Sequence, residues 1–376
     1  MGNEFLAVKN IARRALPRLI ENLVFPNLIY RDYSETFEVG RGDTIQVRKP
    51  VVLTASKFDE SQGVTAQDVK EKSVDVTLDQ LATVDIEFGA IQSATNVDSL
   101  DRLFIEPAAV ALATQINEDG LALYKDIPNY VGTAGTTPAQ LDDFAQAARA
   151  LDEAKVPVTM RHGVWNPAAL AKFRQIPAIV NAEKSGTTEA LRAGSIGNIF
   201  GIDNYMTQGI KEQTSGNITP GGTNASGVKV KTAVTAGSTI VIVSNATASA
   251  TLSGSIKAGD IVVIGGKKYV CVQDASASSN EISVKLNEAI TVAANAAVTV
   301  ISGGAQNLVF HENAFAFVTR PLSAPAGVES YVTSYNGITL RVVRGYNMQY
   351  KKDMLSMDVL YGYKTMYPEL AVRVLG

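Results

Sequence analysis

The feature that most constrains this chain is a break in composition near residue 214. Of its 12 Phe, 13 Tyr and 1 Trp, only Tyr269 falls within residues 214–304. That stretch is made of Gly, Ser, Thr, Ala, Asn and Val, arranged in short β-prone runs: Lys229–Val234, Thr239–Ser244, Asp260–Ile264, Lys267–Gln273, Ile282–Leu286 and Ala297–Ile301. Turn signals such as Gly265-Gly266 and Ser278-Ser279-Asn280 separate them. Six strands at this spacing predict a small β-barrel or sandwich. GNITPGGTNASG before it and SGGAQ after it read as flexible linkers. The earlier composition resumes at Leu308, so the chain reads as one domain inserted into another.

Length and charge narrow the options. At 376 residues the chain predicts two or three domains. A formal net charge of −3 argues against coating nucleic acid by bulk charge, which needs clustered Lys and Arg. Cys271 is the single cysteine, and His162 and His311 are the only histidines. An intrachain disulfide, a zinc ribbon and a multi-histidine metal site are therefore excluded. No apolar run reaches membrane-spanning length, and the first residues lack the apolar core of an export signal.

Around the insert, the rest of the chain shows clear patterning. Phe5, Val8, Ile11, Ala12, Ala15, Leu16, Leu19, Ile20 and Leu23 recur at helical spacing, with Lys9, Arg13, Arg14 and Arg18 on the other face. Pro17 should kink or split that helix. It reads either as a surface helix of its own domain or as an arm that docks elsewhere. Glu35–Val39 and Thr44–Arg48 alternate around Gly40–Asp43 and read as a hairpin. Residues 54–73 are polar and charged, and Val74–Leu78 and Thr83–Phe88 alternate again, so the region reads as a long two-stranded projection. Such a ribbon is marginal in water without support. Pro107 opens a helix to about Tyr124, Thr137–Gln140 reads as a capping box for a helix to about Ala154, and Asn166-Pro167 caps another. Strands are expected at Val158–Trp165, at Gly201–Thr207 and through most of Gly327–Leu375.

No catalytic constellation emerges. Gly266-Lys267-Lys268 sits between two strands and reads as a hairpin turn, and GSIGNIFG at 194–201 misses dinucleotide spacing. His311 has Glu312 beside it but no second histidine. His162 reads as a bonded structural residue at a strand edge. Asp142–Asp143 and Asp59–Glu60 fall on solvated positions. Asn217, Asn224 and Asn245 match a glycosylation pattern and read as polar loops. The expectation is a protein that is no enzyme, with no catalytic residue, cofactor or metal. What remains is interaction geometry: a basic arm, a charged ribbon, an α/β body and a grafted β module.

Several strings then match a known family in order along the chain. They are Gly42-Asp-Thr-Ile-Gln-Val47, Gly197-Asn-Ile-Phe-Gly-Ile202, Asn307-Leu-Val-Phe-His-Glu-Asn-Ala-Phe-Ala-Phe317 and Leu360-Tyr-Gly-Tyr-Lys-Thr-Met-Tyr-Pro-Glu369. In this order the chain resembles the major capsid proteins of tailed phages, the HK97-like (Johnson) fold. The insert makes it look most like the coat proteins of short-tailed Salmonella phages. That resemblance implies an α+β fold with an N-terminal arm (1–34), an E-loop and its roots (35–90), a peripheral domain with a spine helix (91–128 plus 341–376), an axial domain (129–213 plus 305–340) and an inserted β-barrel (214–304). It implies intersubunit contacts from the E-loop residues Arg41, Asp43, Lys49, Lys57, Asp59, Glu60, Lys70, Glu71 and Lys72. Scaffold contacts are implied for Lys9, Arg13, Arg14 and Arg18. No cross-link is expected, because Lys57 has no assignable partner asparagine or catalytic glutamate.

The implied partners are further copies of the chain in hexamers and pentamers, a scaffolding protein, a portal at one vertex, packaged double-stranded DNA held without sequence specificity, and a decoration protein, with no membrane. The implied setting is the virion, after assembly in the host bacterial cytoplasm. An encapsulin-like compartment of the same fold and a surface adhesin using the β insert are the alternatives.

Overall fold

The structure, a computed structural model, describes residues 8–31, 44–49, 72–89, 104–181, 193–214, 216–220, 227–247, 251–301, 303–325, 327–347 and 352–376. The chain forms two compact units, residues 1–18, 31–112 and 316–366 in the first and 19–30, 113–315 and 367–376 in the second.

The first helix, α1 (Val8–Asn22), runs unbroken through Pro17. Its apolar stripe of Val8, Ile11, Ala12, Ala15, Leu16 and Leu19 is buried, as the spacing demanded. The expected split at Pro17 does not occur.

In the first unit, β1 (Thr44–Lys49) pairs antiparallel with β2 (Lys72–Thr77), from Thr44 opposite Thr77 to Lys49 opposite Lys72. This is the described part of the ribbon; Glu35–Asp43 and residues 50–71 lie outside the described residues. The next strand, β3 (Gln80–Gly89), does not continue the ribbon as expected. It pairs over its whole length with a strand some 270 residues later, β22 (Lys352–Thr365). Burial explains the choice. On β22, Met357, Val359 and Tyr361 are buried, and register sets Val84, Ala82 and Gln80 opposite them. The sheet is completed by β19 (Phe315–Arg320), β20 (Glu329–Tyr335) and β21 (Ile338–Asn347), in the order β19-β22-β21-β20 with β3 also on β22.

The second unit is built on a mixed sheet. In sequence its strands are β4 (Tyr130–Gly132), β5 (Arg161–Trp165), β6 (Asn198–Ile199), β7 (Ile202–Met206), β18 (Gln306–His311) and β23 (Ala371–Leu375). Their spatial order is β4-β23-β18-β5-β7-β6. All six residues of β18 are buried, the pattern of a strand covered on both faces. Helices α3 (Leu141–Glu153) and α4 (Pro167–Phe173) pack their apolar sides into this unit's core. There Trp165 meets Phe144 and Phe173 at ring separations of 5.0 and 4.9 Å. Asn166 caps α4 as expected, accepting from Ala169 N–H at 2.9 Å. The cap of α3 lies three residues beyond the expected one: Asp143 Oδ2 accepts from Ala139 and Gln140 N–H, so the residue that opens the helix is Gln140. His162 occupies β5 in the middle of the sheet, between Phe310 and Asp203, and is not at an edge.

Within the second unit, six strands from residues 228–301 form a sheet of their own: β9 (Val228–Val230), β10 (Val234–Asn245), β13 (Ile261–Ile264), β14 (Lys267–Val270), β16 (Glu281–Val292) and β17 (Ala297–Ile301). They correspond one for one to the six expected runs. Their order is β14-β13-β17-β9-β10-β16, and a backbone bridge from Cys271 to Leu286 ties the two outer strands to each other. Aliphatic residues fill the interior, among them Val241, Val243, Ile256, Val262, Ile282 and Val284. Gly265 and Gly266, at φ +57 and +82, turn β13 into β14, the two-glycine hairpin the sequence announced. Asn245 corrects the polar-loop expectation: it is buried, donates to Thr251 O and accepts from Thr247 N–H.

Candidate assembly surfaces

The basic face of α1 is the first surface. Lys9, Arg13 and Arg14 are exposed, and Lys9 Nζ lies 5.9 Å from the centre of the Tyr331 ring. Arg18 is half-buried and bonds Glu106 at 2.5 Å, on the first turn of α2 (Glu106–Leu121). The sequence placed all four cations on one solvated face; the structure commits Arg18 to an internal ion pair and leaves three outward.

The ribbon is the second surface. Lys49 and Lys72 are register partners at the end of its described part. Arg41, Asp43, Lys57, Asp59, Glu60, Lys70 and Glu71 lie outside the described residues. The root of the ribbon is set by a close approach. A Cβ on Gly362 of β22 would lie 2.0 Å from Thr77 O, so only glycine lets the end of β2 pass. The Tyr-Gly-Tyr string has this steric reason, which sequence alone did not show.

A third feature had no sequence signal: a buried polar cluster at the foot of the six-stranded module. The Tyr124 hydroxyl donates to Gln213 Oε1 at 2.5 Å. Gln213 Nε2 in turn donates to Asp260 Oδ1 at 2.8 Å. Arg373, on β23, donates to Gly259 O at 2.7 Å and lies 5.3 Å from the Tyr124 ring centre. Burial drives the Arg373 guanidinium down to about 9 and raises the Asp260 carboxyl above its ordinary range, although Lys257 N–H and Gln213 donate to it. These residues are scattered over 250 positions, so no local pattern could reveal them.

Among the described residues no group of three His, Cys, Asp or Glu could hold a metal. Burial depresses both histidines. His162 sits between the Tyr205 and Phe310 rings, its Nδ1 without a hydrogen-bond partner among the described residues, and His311 Nδ1 accepts from Asn313 N–H. No described helix is long and apolar enough to cross a membrane.

Architecture is what the comparisons resolve. No protein-family model matches the sequence, and no curated protein matches it. Solved structures do. A chain described as the capsid structure of the cyanophage P-SCSP1u aligns over 94% of this chain and 88% of its own, with a TM-score of 0.52 at 12% identity. The chain shares a phage capsid fold. A chain from Mycobacterium phage Che8 aligns over 94% of this chain and 90% of its own, with a TM-score of 0.56 at 18% identity. At these identities the likeness is one of backbone path, which a buried β18, a long β22 and a supported ribbon can preserve while surface residues diverge.

Proposed function

We propose that this chain is the major capsid protein of a tailed bacteriophage, a structural protein whose copies close into the icosahedral head around double-stranded DNA. The observation that carries the reading is the capsid fold, matched over nearly the whole length of both chains. The ribbon supports it, because an extended two-stranded element gains most of its stability from what it lies on, and in a shell that is a neighbouring copy. Contacts between copies that are heterologous and close on themselves make rings, from which hexamers and pentamers build a shell.

In this reading the exposed cations Lys9, Arg13 and Arg14 meet a scaffolding protein, and a portal replaces one pentamer. Residues 35–90 act as the E-loop and its roots, and residues 214–304 are an inserted barrel on the outer surface, as in the short-tailed Salmonella phage coat proteins. A decoration protein would bind that outer surface. The near-neutral charge suits a container that encloses DNA without sequence-specific grip and later releases it. Assembly takes place in the host cytoplasm and the product is the virion.

The test is expression of the full chain in bacteria, alone and together with the gene adjacent to its own, followed by electron microscopy and sedimentation. Closed shells tens of nanometres across, in either preparation, are expected. Monodisperse monomers or small oligomers in both would overturn the reading.

A further inference from the structure

The sheet of the first unit ends in two unlike edges. Along β3-β22-β21-β20, the strand β3 lies outermost on one side and β20 on the other. β3 carries Asp85 and Glu87, charges of the kind that keep an edge from pairing with another chain. β20 reads ESYVTSY, with no proline, no lysine and no charge after Glu329. Its Tyr, Val and Thr residues favour a strand. At its two ends Val328 and Tyr335 are 40% and 65% exposed.

The hairpin fixes which backbone groups that edge presents. β20 turns into β21 through Asn336 and Gly337, at φ +52 and +72, with Tyr335 opposite Ile338. In a two-residue hairpin the pair beside the turn exchanges both backbone bonds, and bonded and non-bonded pairs alternate away from it. Tyr335, Thr333, Tyr331 and Glu329 therefore spend their N–H and C=O groups on β21. Ser334, Val332 and Ser330 turn theirs outward. The hydroxyls of Ser334 and Thr339, 2.9 Å apart, fit the closer side-chain approach of a non-bonded pair. Among the described residues no strand lies beyond β20. Lys9 Nζ reaches the Tyr331 ring at 5.9 Å, a side-chain contact that leaves the backbone edge open.

We propose that this edge receives β20 of a second copy of the chain, antiparallel and centred on Val332. The three outward residues are evenly spaced, so a two-fold axis at Val332 sets it against its own mate and sets Ser330 against Ser334 of the second copy. Each such pair exchanges two N–H···O bonds. The same register puts Tyr331 opposite Thr333 of the second copy, an aromatic against a β-branched residue. Charge selects this occupant. Glu329 falls opposite Tyr335 of the second copy, next to the Asn336 carbonyl that Arg31 Nη1 holds at 3.0 Å. Each acidic end thus meets a basic end, and the two Glu329 carboxylates stay apart. Pairing β20 on the β3 edge would instead bring Glu329 to an edge that already carries Asp85 and Glu87. The contact is isologous and closes on itself. Its place at two-fold axes of a shell rests on the capsid reading; the pairing itself does not.

Oxidative cross-linking of the full chain reads the register. Val332→Cys places two thiols on a pair whose Cα atoms are about 5.5 Å apart, within the span of a disulfide. Ser330→Cys places them about 13 Å apart, four residues out of register and beyond that span. Ser330→Cys/Ser334→Cys restores a facing pair. The parent chain, whose Cys271 is buried, is the blank. Each protein is oxidised with copper phenanthroline and its disulfide-linked dimer measured on non-reducing gels, beside electron microscopy of the same preparation. Val332→Cys and the double variant should each give at least about tenfold more dimer than Ser330→Cys. Equal yields from Val332→Cys and Ser330→Cys, or dimer from neither, overturn the pairing. Val332→Pro is a second readout. The Val332 N–H is not used within the chain, so the fold should hold, while adding this change to Ser330→Cys/Ser334→Cys should abolish the dimer. An undiminished dimer overturns the two-fold register; should the proline variant fail to fold, the cysteine pairs still decide. Shells without register-specific dimers remove this contact and leave the capsid reading standing. Register-specific dimers without shells do the reverse.

Discussion

Gly362 lies against the carbonyl of Thr77, so close that a Cβ on it would sit 2.0 Å from the oxygen. This one contact sets the root of the ribbon on the sheet of the first unit, and it joins residues 285 positions apart. Gly362→Ala is therefore expected to cost at least about 2 kcal/mol, because backbone atoms must move to admit the methyl. Gly345→Ala is the control, since among the described residues a Cβ there meets only Val328 Cγ1, at 3.8 Å. Urea unfolding of the two variants should separate them clearly; equal midpoints would show that the approach does not constrain the fold.

Asn117 ties the end of α1 to α2. Its Oδ1 accepts from Val24 and Phe25 N–H, both at 3.1 Å, and its Nδ2 donates to Asn22 O at 3.1 Å. Asn117→Leu keeps the branching of the side chain and removes all three hydrogen bonds, so a loss of about 3 kcal/mol is expected, at about 1 kcal/mol for each bond lost. Phe25, which meets Phe310 and Phe315 at 5.4 Å, should lose its protection from hydrogen exchange in the same variant.

Acid should weaken the folded chain in a defined window. Both histidines are depressed below 6.5, chiefly by burial. The unfolded chain then takes up protons near 6.5 while the folded chain resists. Their contribution is complete above about 6.5 and is lost as pH falls through that value toward the lower folded ones. Asp203, Glu312 and His311 face His162 electrostatically and set the size of the effect. Asp260 acts in the opposite sense, since burial raises its carboxyl. Unfolding midpoints followed from pH 8 to pH 5 should fall, and His162→Gln should flatten the curve. An unchanged slope in that variant would move the titration elsewhere.

The outward cations of α1 should matter for assembly and not for folding. Lys9→Glu/Arg13→Glu is expected to leave the unfolding free energy within about 0.5 kcal/mol, as for exposed surface positions. Under the proposed function, the same variant should lose closed shells when produced together with the product of the adjacent gene. Normal shells from it would remove these residues from the assembly surface.

Arg341 and Asp358 offer a stability test in the first unit. Arg341 Nε and Nη2 both donate to Asp358 Oδ2, at 2.9 and 2.5 Å, and Ser356 donates to Oδ1 at 2.7 Å. Asp358 is buried, so Arg341→Met should cost about 3 kcal/mol by leaving its carboxylate uncompensated. The double variant Arg341→Met/Asp358→Asn should recover part of that loss in the same urea titration.

Much of the local structure was legible in the sequence because its causes are local. The stripe on α1 follows from spacing, the cap at Asn166 from one side chain reaching three residues on, and the turn at Gly265-Gly266 from glycine's access to positive φ. The six runs of residues 228–301 follow from alternation and turn chemistry, and each became a strand of the module's sheet. The errors fell where competing partners were distant. Thr137 lost the cap of α3 because Asp143 captures the N–H groups of Ala139 and Gln140. His162 looked like an edge residue because the flanks of β5 gave no sign that β18 and β7 would enclose it.

The sequence by itself determined the stripe of α1, the cap at Asn166, the six strand runs of residues 228–301 and the different composition of residues 214–304. Periodicity, caps and composition act over a few residues and can be read there. The tertiary structure alone decided that β3 leaves the ribbon for β22, that Gly362 must yield to Thr77, and that Arg373 reaches the foot of the module. Those outcomes depend on which apolar faces find each other across hundreds of residues, and burial, which chooses among them, is a property of the assembled chain.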